Sequence, residues 1–299
     1  VTKDQLEQKM NDTPTTVVIA QAIKTHFWED VYKSFKGGNS PFQLIFVGHI
    51  KPNFKLPPNM IWVECSLSPA KCAEIAYRYA YKHFPGAKYI VNIADDLLIP
   101  PAFLKDNIEF YERQKKKLGV DILLTGPICL VHPQTQIENL MAWKNGGPNL
   151  LVTNFTEIKT SKKIGGIDNR FEGIYWDCDR MLRAHEMGGK VIVASSNELS
   201  PIREREHLPG LHNKYKSIDK TFLDKLWIVT ENGGKLTNCC SLNNKKNVFS
   251  EKLLSVKRTD EVIQHTEEKL GKYYEFESLA GRRGRVVLRG VVRRVKEKS

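Results

Sequence analysis

Cysteine pairs at metal-binding spacing are missing from this chain. Its six cysteines, Cys65, Cys72, Cys129, Cys178, Cys239 and Cys240, contain no C-x-x-C, which argues against a zinc site and for a reducing compartment. Long hydrophobic runs are missing too: none approaches the roughly 20 apolar residues that span a bilayer. No charged-then-apolar leader follows Val1, so the expectation is a cytoplasmic protein. Glycine is absent from Ala20 to Phe27, directly after the first apolar run, where a glycine-rich phosphate loop would stand. A basic body is absent as well. Formal charge is +12, but residues 281–299 hold eight Lys/Arg against Glu297 alone. A chain whose excess charge sits in its tail is not built as a nucleic-acid-binding body. The tail itself, with valines between its arginines, suits an anionic membrane surface, nucleic acid or an acidic partner, or a solvated edge.

What the chain does contain is a core-forming body. With 299 residues and 41% hydrophobic content it can bury a full core. Residues 1–14 are polar and end at Pro14, a loose arm. Thr15 to Ala20 is then a short apolar run of the kind buried on both faces of a parallel sheet. The spacing predicts a helix over His26 to Phe35, strands at Gln43 to Val47 and Met60 to Glu64, and a helix from Ser68 to Phe84 with Pro69 in its tolerated first turn. A strand at Lys88 to Ile93, a helix at Phe103 to Lys117 and a strand at Asp121 to Thr125 complete the alternation. Strand and helix in this order predict a Rossmann-like, doubly wound α/β fold with a mostly parallel sheet. Beyond Trp227 the pattern thins into a turn at Glu231 to Lys235, a charged helix over Ser250 to Tyr274 and the basic tail, together a helical and basic C-terminal extension.

Two acidic clusters stand out. Asp95 and Asp96 follow the apolar run Tyr89-Ile-Val-Asn-Ile, at the carboxyl end of a strand, where such sheets bind ligands. Adjacent carboxylates repel unless something positive lies beside them. A divalent cation on a diphosphate meets that need, because hard oxygen ligands suit magnesium or manganese; a cap on the Pro100-Pro101 turn into the next helix meets it equally. The second cluster, W-D-C-D at 176–179, opens an amphipathic helix that Gly188-Gly189 ends before a strand at Lys190 to Ala194. Asp177 and Asp179 suit its first turn, where unsatisfied N–H groups favour negative charge.

These two stretches carry a resemblance. N-I-A-D-D-L-L-I-P-P-A-F-L at 92–104 resembles the segment around the D-x-D motif of family 2 nucleotide-sugar glycosyltransferases. G-G-I-D-N-R-F-E-G-I-Y-W-D-C-D-R-M-L-R-A-H-E-M-G-G-K-V at 165–191 is similar to that family's later G-G-F-D…E-D-x-D…R…G block. N-K-Y…F-L-D-K-L-W, from Asn213 to Trp227, is similar to its ending. The matches fall in the family's order and cover Thr15 to Trp227. The resemblance implies the A-type glycosyltransferase fold, with a nucleotide-sugar half at 15–125, an acceptor-binding and catalytic half at 126–230, and an extension at 231–299.

Carried over by residue, the D-x-D becomes Ala94-Asp95-Asp96. Its first carboxylate is missing, Asp96 is the implied metal contact, and Asp95 contacts ribose or metal. The family's E-D becomes Trp176-Asp177, which makes Asp177 the implied general base and puts Trp176 beside the acceptor. Asp179 matches the second acidic position, holding the acceptor or capping the helix, and Arg183 matches a structural basic position. A late histidine of the family corresponds to His212 or His207, each also readable as a surface residue. Gly165 and Gly166 would let the backbone approach the donor sugar, or form a plain turn. The family's second-strand acidic residues and first-strand turn are absent, which leaves Gln21, Lys24 and His49 as loop candidates for nucleotide contact.

The implied function is transfer of a sugar from a nucleoside-diphosphate sugar to a hydroxyl of a glycan or glycoconjugate, with manganese or magnesium and with inversion. In such a reaction charge grows on the leaving diphosphate while a base takes the acceptor proton. Two other readings compete: a sugar nucleotidyltransferase of similar fold, disfavoured by the missing glycine loop, and an inactive glycan- or nucleotide-binding module in which Ala94 marks a lost site.

Overall fold

The computed structural model describes residues 14–36, 40–127, 129–130, 138–139, 153–168, 170–205, 209–231, 234–235, 254–258, 278–280 and 285–288. In chain order, β1 (Thr16–Gln21) leads through a 3-10 turn (Thr25–Phe27) into α1 (Trp28–Lys36), followed by β2 (Phe42–Gly48), β3 (Met60–Glu64), α2 (Pro69–His83), β4 (Tyr89–Asn92), β5 (Leu97–Leu98), α3 (Phe103–Leu118) and β6 (Leu123–Gly126). Next come β7 (Cys129–Leu130), β8 (Glu138–Asn139), β9 (Asn154–Glu157), α4 (Ile158–Ile164), α5 (Trp176–Glu186), β10 (Lys190–Val193), β11 (Ile202–Glu204) and α6 (Pro209–Leu226). The described residues end with β12 (Trp227–Glu231), β13 (Gly234–Lys235), β14 (Leu254–Arg258), β15 (Ser278–Ala280) and β16 (Arg285–Leu288).

The fold is α/β and doubly wound. Its main sheet runs β10-β6-β9-β4-β1-β2-β3-β16-β15. β1 pairs in parallel with both β2 and β4, and β2 with β3. β9 is inserted antiparallel between β4 and β6, and β10 runs parallel to β6. The chain therefore winds outward from β1 through β2 and β3, then returns to the other side of β1 as β4. That reversal is the point where such sheets bind ligands, in the crevice beyond the carboxyl ends of β1 and β4.

Alternation along β1 explains the two-sided core. Val17 and Ile19 face a cluster with Ala73, Ala76 and Tyr77 of α2 and Leu182 of α5. Val18 and Ala20 face another with Trp28 and Phe35 of α1 and Phe103 and Tyr111 of α3. Because β1 and β2 are covered on both faces, their residues form the continuous apolar runs seen in the sequence. β9 and β10 hydrogen-bond directly into the same sheet.

The extension differs from the expected helix. Within 250–274 the described residues form β14, which pairs antiparallel with β12 from Trp227↔Arg258 to Glu231↔Leu254. Leu254 and Val256 are two apart, and with a partner strand available that spacing satisfies a period of two. β16 joins the main sheet in parallel with β3. The arm at 1–13, the loop at 238–247 and the tail from 289 onward lie outside the described residues. Among those described, no helix is long and apolar enough to cross a membrane.

Gly48 shows how tightly the crevice edge is packed. A Cβ on it would lie 1.8 Å from the Ala22 carbonyl oxygen, and its own carbonyl accepts from Trp62 Nε1 at 3.0 Å. Backbone cannot yield as a side-chain tip can, so Gly48→Ala is expected to cost about 2 kcal/mol or more. Urea unfolding followed by circular dichroism measures this, with a lowered midpoint at an unchanged slope as the expected result.

Candidate active site

Asp95 and Asp96 stand just past the end of β4, and Lys24 just past the end of β1, so the three bracket the crevice. All three are buried. Asp95 Oδ2 gathers three donors: Ile23 N–H at 2.7 Å, Lys24 N–H at 2.6 Å and Trp28 Nε1 at 3.0 Å. Burial pushes the Asp95 carboxyl above the ordinary carboxylate range, while the Trp28 and backbone donors pull it back and the Asp96 charge adds to the rise. Asp96 is met by the Lys24 ammonium, which donates to its Oδ2. Arg205, just past β11, donates its backbone N–H to the Asp96 carbonyl at 3.0 Å. Its guanidinium lies over the Phe27 ring and bonds Asp30 at 2.8 Å.

Two buried acceptors flank the same crevice without a hydrogen-bond partner among the described residues: Gln21 Oε1 at the end of β1 and Asn92 Oδ1 at the end of β4. Buried polar atoms are rarely left orphaned, and a ligand is one way they are satisfied. Gln21 and Lys24, both sequence candidates, are thus at the crevice. His49 is exposed.

The second cluster reaches the same edge of the sheet. Since α5 leads back into β10, its first turn lies where the parallel strands end. Asp177 is in that turn and takes a hydrogen bond from Cys178 N–H at 2.9 Å. The residue keeps partial solvent access, yet protein surrounds its carboxyl closely enough that desolvation raises its pKa. Tyr175, at the helix N-cap, has φ 64° and is the non-glycine residue with positive φ among those described. Such strain in a bulky residue persists only where its surroundings impose it, and it clusters at functional sites.

The surroundings that impose it come from α6. Asp219 is fully buried, and its carboxylate accepts from the N–H groups of Glu172 at 3.1 Å, Gly173 at 2.7 Å and Ile174 at 2.9 Å. It holds the three residues that precede Tyr175. At Gly173 a Cβ would lie 2.7 Å from Tyr215 Cβ, so only glycine lets α6 come this close. The sequence pattern gave no hint of Asp219, because a lone aspartate in a helix resembles any solvated residue. Asp168 was likewise passed over; it is buried and holds Arg170 through that residue's N–H at 3.0 Å and Nε at 2.9 Å.

Other expected contacts are placed in the core. Asp179 is fully buried, with Oδ1 accepting from Trp227 Nε1 at 2.9 Å and Oδ2 at 3.0 Å from Arg183. Trp176 is buried with its ring edge-on to Tyr77 at 6.5 Å. An acceptor would not reach either without rearrangement, so both anchor the helix that carries Asp177. Gly165 and Gly166 are buried, and Arg183 donates to the carbonyls of Ile164 at 3.0 Å and Gly166 at 2.5 Å. Gly165, at φ 92°, ends α4; the pair forms a turn braced from below rather than an open approach to a donor. His207 and the His212 side chain lie outside the described residues.

A divalent cation does not fit the described residues at Asp95 and Asp96. One oxygen of Asp95 is committed to three N–H donors and Asp96 already meets an ammonium. Among the described residues no group of three His, Cys, Asp or Glu stands close enough to hold a metal.

Comparison with known proteins adds little. No family model matches the chain, and no curated protein does. Among solved structures it is similar to TarS of S. aureus, a staphylococcal teichoic acid glycosyltransferase, at 13% identity and a TM-score of 0.44. That match covers 69% of this chain but only 39% of TarS.

Removing the Asp219 carboxylate should release the loop that it grips. Asp219→Ala leaves buried N–H groups unsatisfied and is expected to cost about 2–4 kcal/mol. Amide hydrogen exchange at Glu172 to Ile174 would rise before that of the β1 and β2 core.

Proposed function

We propose that this chain transfers a sugar from a nucleoside-diphosphate sugar to a hydroxyl of a glycan or glycoconjugate, with Asp177 as general base and inversion at the anomeric carbon. The observation that carries the reading is the state of Asp177, set against the buried aspartates around it. Asp95, Asp96, Asp168, Asp179 and Asp219 each hold N–H donors from other residues or a cation. Among the described residues Asp177 meets no cation; it keeps solvent access and has a raised pKa. A carboxylate in that state suits proton abstraction, because a base works best when its pKa moves toward the operating pH.

In this reading the nucleotide lies in the crevice between β1 and β4, where Gln21 and Asn92 offer acceptors to base or ribose hydrogens. The acceptor hydroxyl gives its proton to Asp177 as its oxygen bonds the anomeric carbon. The bond from that carbon to the diphosphate oxygen breaks on the opposite face, and the nucleoside diphosphate leaves with the electron pair. The likeness of 92–104 and 165–191 to family 2 glycosyltransferases supports the same assignment of roles. The anionic-membrane role of the tail is a separate proposal, tested by sedimentation with anionic vesicles.

Release of nucleoside diphosphate from a panel of nucleotide sugars tests the activity. Asp177→Asn is expected to lower turnover about 10²–10⁴-fold while leaving nucleotide binding intact. In the wild type, activity should fall on acidification through a midpoint above the ordinary aspartate value of 3.8, because the base must be ionised.

Stability moves the other way. A carboxyl whose folded-state pKa is raised leaves the fold most stable when protonated and costs stability as pH rises through that pKa. Asp177→Asn should therefore raise the melting temperature at neutral pH and lose that advantage below about pH 3.8. A variant less active and less stable together would argue for a purely structural Asp177.

A further inference from the structure

Lys24 occupies the place where the resemblance puts a metal, and its position is fixed twice. Its backbone N–H bonds Asp95 Oδ2 at 2.6 Å, which sets the start of the side chain. Its ammonium reaches Asp96 Oδ2, which sets the end. The residue is 8% exposed, so the cation stands in a low-dielectric crevice where charge acts strongly. An ammonium has three N–H donors and serves more than one acceptor at once, so its seat against Asp96 does not preclude a phosphate oxygen. A second cationic residue, Arg205, is tied by its backbone to Asp96; its Nε is buried with no hydrogen-bond partner among the described residues. The facing acids are Asp95, whose charge is spread over three N–H donors, Asp96, and the half-exposed Asp30 that pairs with Arg205.

We propose that Lys24, with Arg205 beside it, takes the role of a divalent cation at the diphosphate of the donor, so that this chain binds its nucleotide without metal. The inference rests on the glycosyl-transfer reading for its ligand and departs from that reading's usual cofactor. The ammonium and guanidinium offset the charge of the bound diphosphate and of the departing one, each as a donor of charge-assisted hydrogen bonds.

The test is isothermal titration of the full chain with UDP, GDP, ADP and CDP, each with EDTA and each with added manganese or magnesium. At least one nucleotide should bind with the same affinity under all three conditions. Lys24→Met should weaken that binding roughly ten- to hundredfold, and Lys24→Arg should keep most of it. Because Lys24→Met strands the buried Asp96 charge and threatens the fold, the double variant Lys24→Met/Asp96→Asn removes both charges together. Checked for folding by circular dichroism, it should lose affinity to a similar degree. Wild-type binding that requires metal overturns the proposal and leaves the glycosyl-transfer reading standing. So does a folded double variant that binds as tightly as the wild type. Wild-type protein that binds no nucleotide under any condition overturns the glycosyl-transfer reading and the proposal with it.

Discussion

A buried carboxylate must be matched by donors, and Asp95 is where this requirement organises the molecule. Left alone, its charge would cost several kcal/mol in so dry a place. Three N–H donors from the segment after β1 meet one of its oxygens. The same bonds tie the end of β4 to the end of β1 across the point where the sheet reverses its winding. They orient Trp28, whose ring meets Phe46 edge-on at 4.7 Å and begins α1, and they aim the Lys24 side chain at Asp96. Crevice geometry and the start of the first crossover helix thus share one electrostatic cause.

The other side of the site is built by the same rule. Asp219 grips three backbone N–H groups, Gly173 lets Tyr215 close in, and Tyr175 takes a left-handed conformation that it would not choose alone. Below, Asp179 and Arg183 pair inside the core, and Arg183 also braces the turn at Gly165-Gly166. Arg180 lies fully buried, its guanidinium 4.0 Å from the Tyr77 ring centroid and bonded to Ser161 at 2.8 Å. Charged residues in a core are weak contributors to stability but strong constraints on geometry. Their concentration on α5 fixes the helix that presents Asp177.

The parallel body was legible because residues buried on two faces must be apolar throughout. Thr16–Gln21 and Phe42–Gly48 are such runs, and α2 announces itself by Pro69 and its spacing. The boundaries moved by a residue or two, as helix ends do. β14 was not legible: Leu254 and Val256 suit a helix or a strand, and only the partner β12 decides. In the site, Asp177 and the Asp95-Asp96 pair could be singled out from their place at a helix start and a strand end. What those residues touch could not. Whether Asp179 faces an acceptor or Trp227 depends on a residue 48 positions away, and Asp219 acts on backbone atoms, which leave no mark in a pattern of side chains.

Two departures from the family resemblance meet at one carboxylate pair. The D-x-D motif supplies two carboxylates for a dication. In this chain Ala94 stands in the first position and Asp95 in the middle one, so two carboxylates remain, and the segment after β1 sets Lys24, a monocation, against Asp96. Hydrogen bonds do not remove the charge of Asp95; its three N–H donors solvate it in place of water. Adjacent buried carboxylates repel, and the Asp96 charge adds to the raised pKa of Asp95. An ion pair on one and N–H donors on the other offset that repulsion, which is why the pair can stay buried where the motif would have relied on a dication.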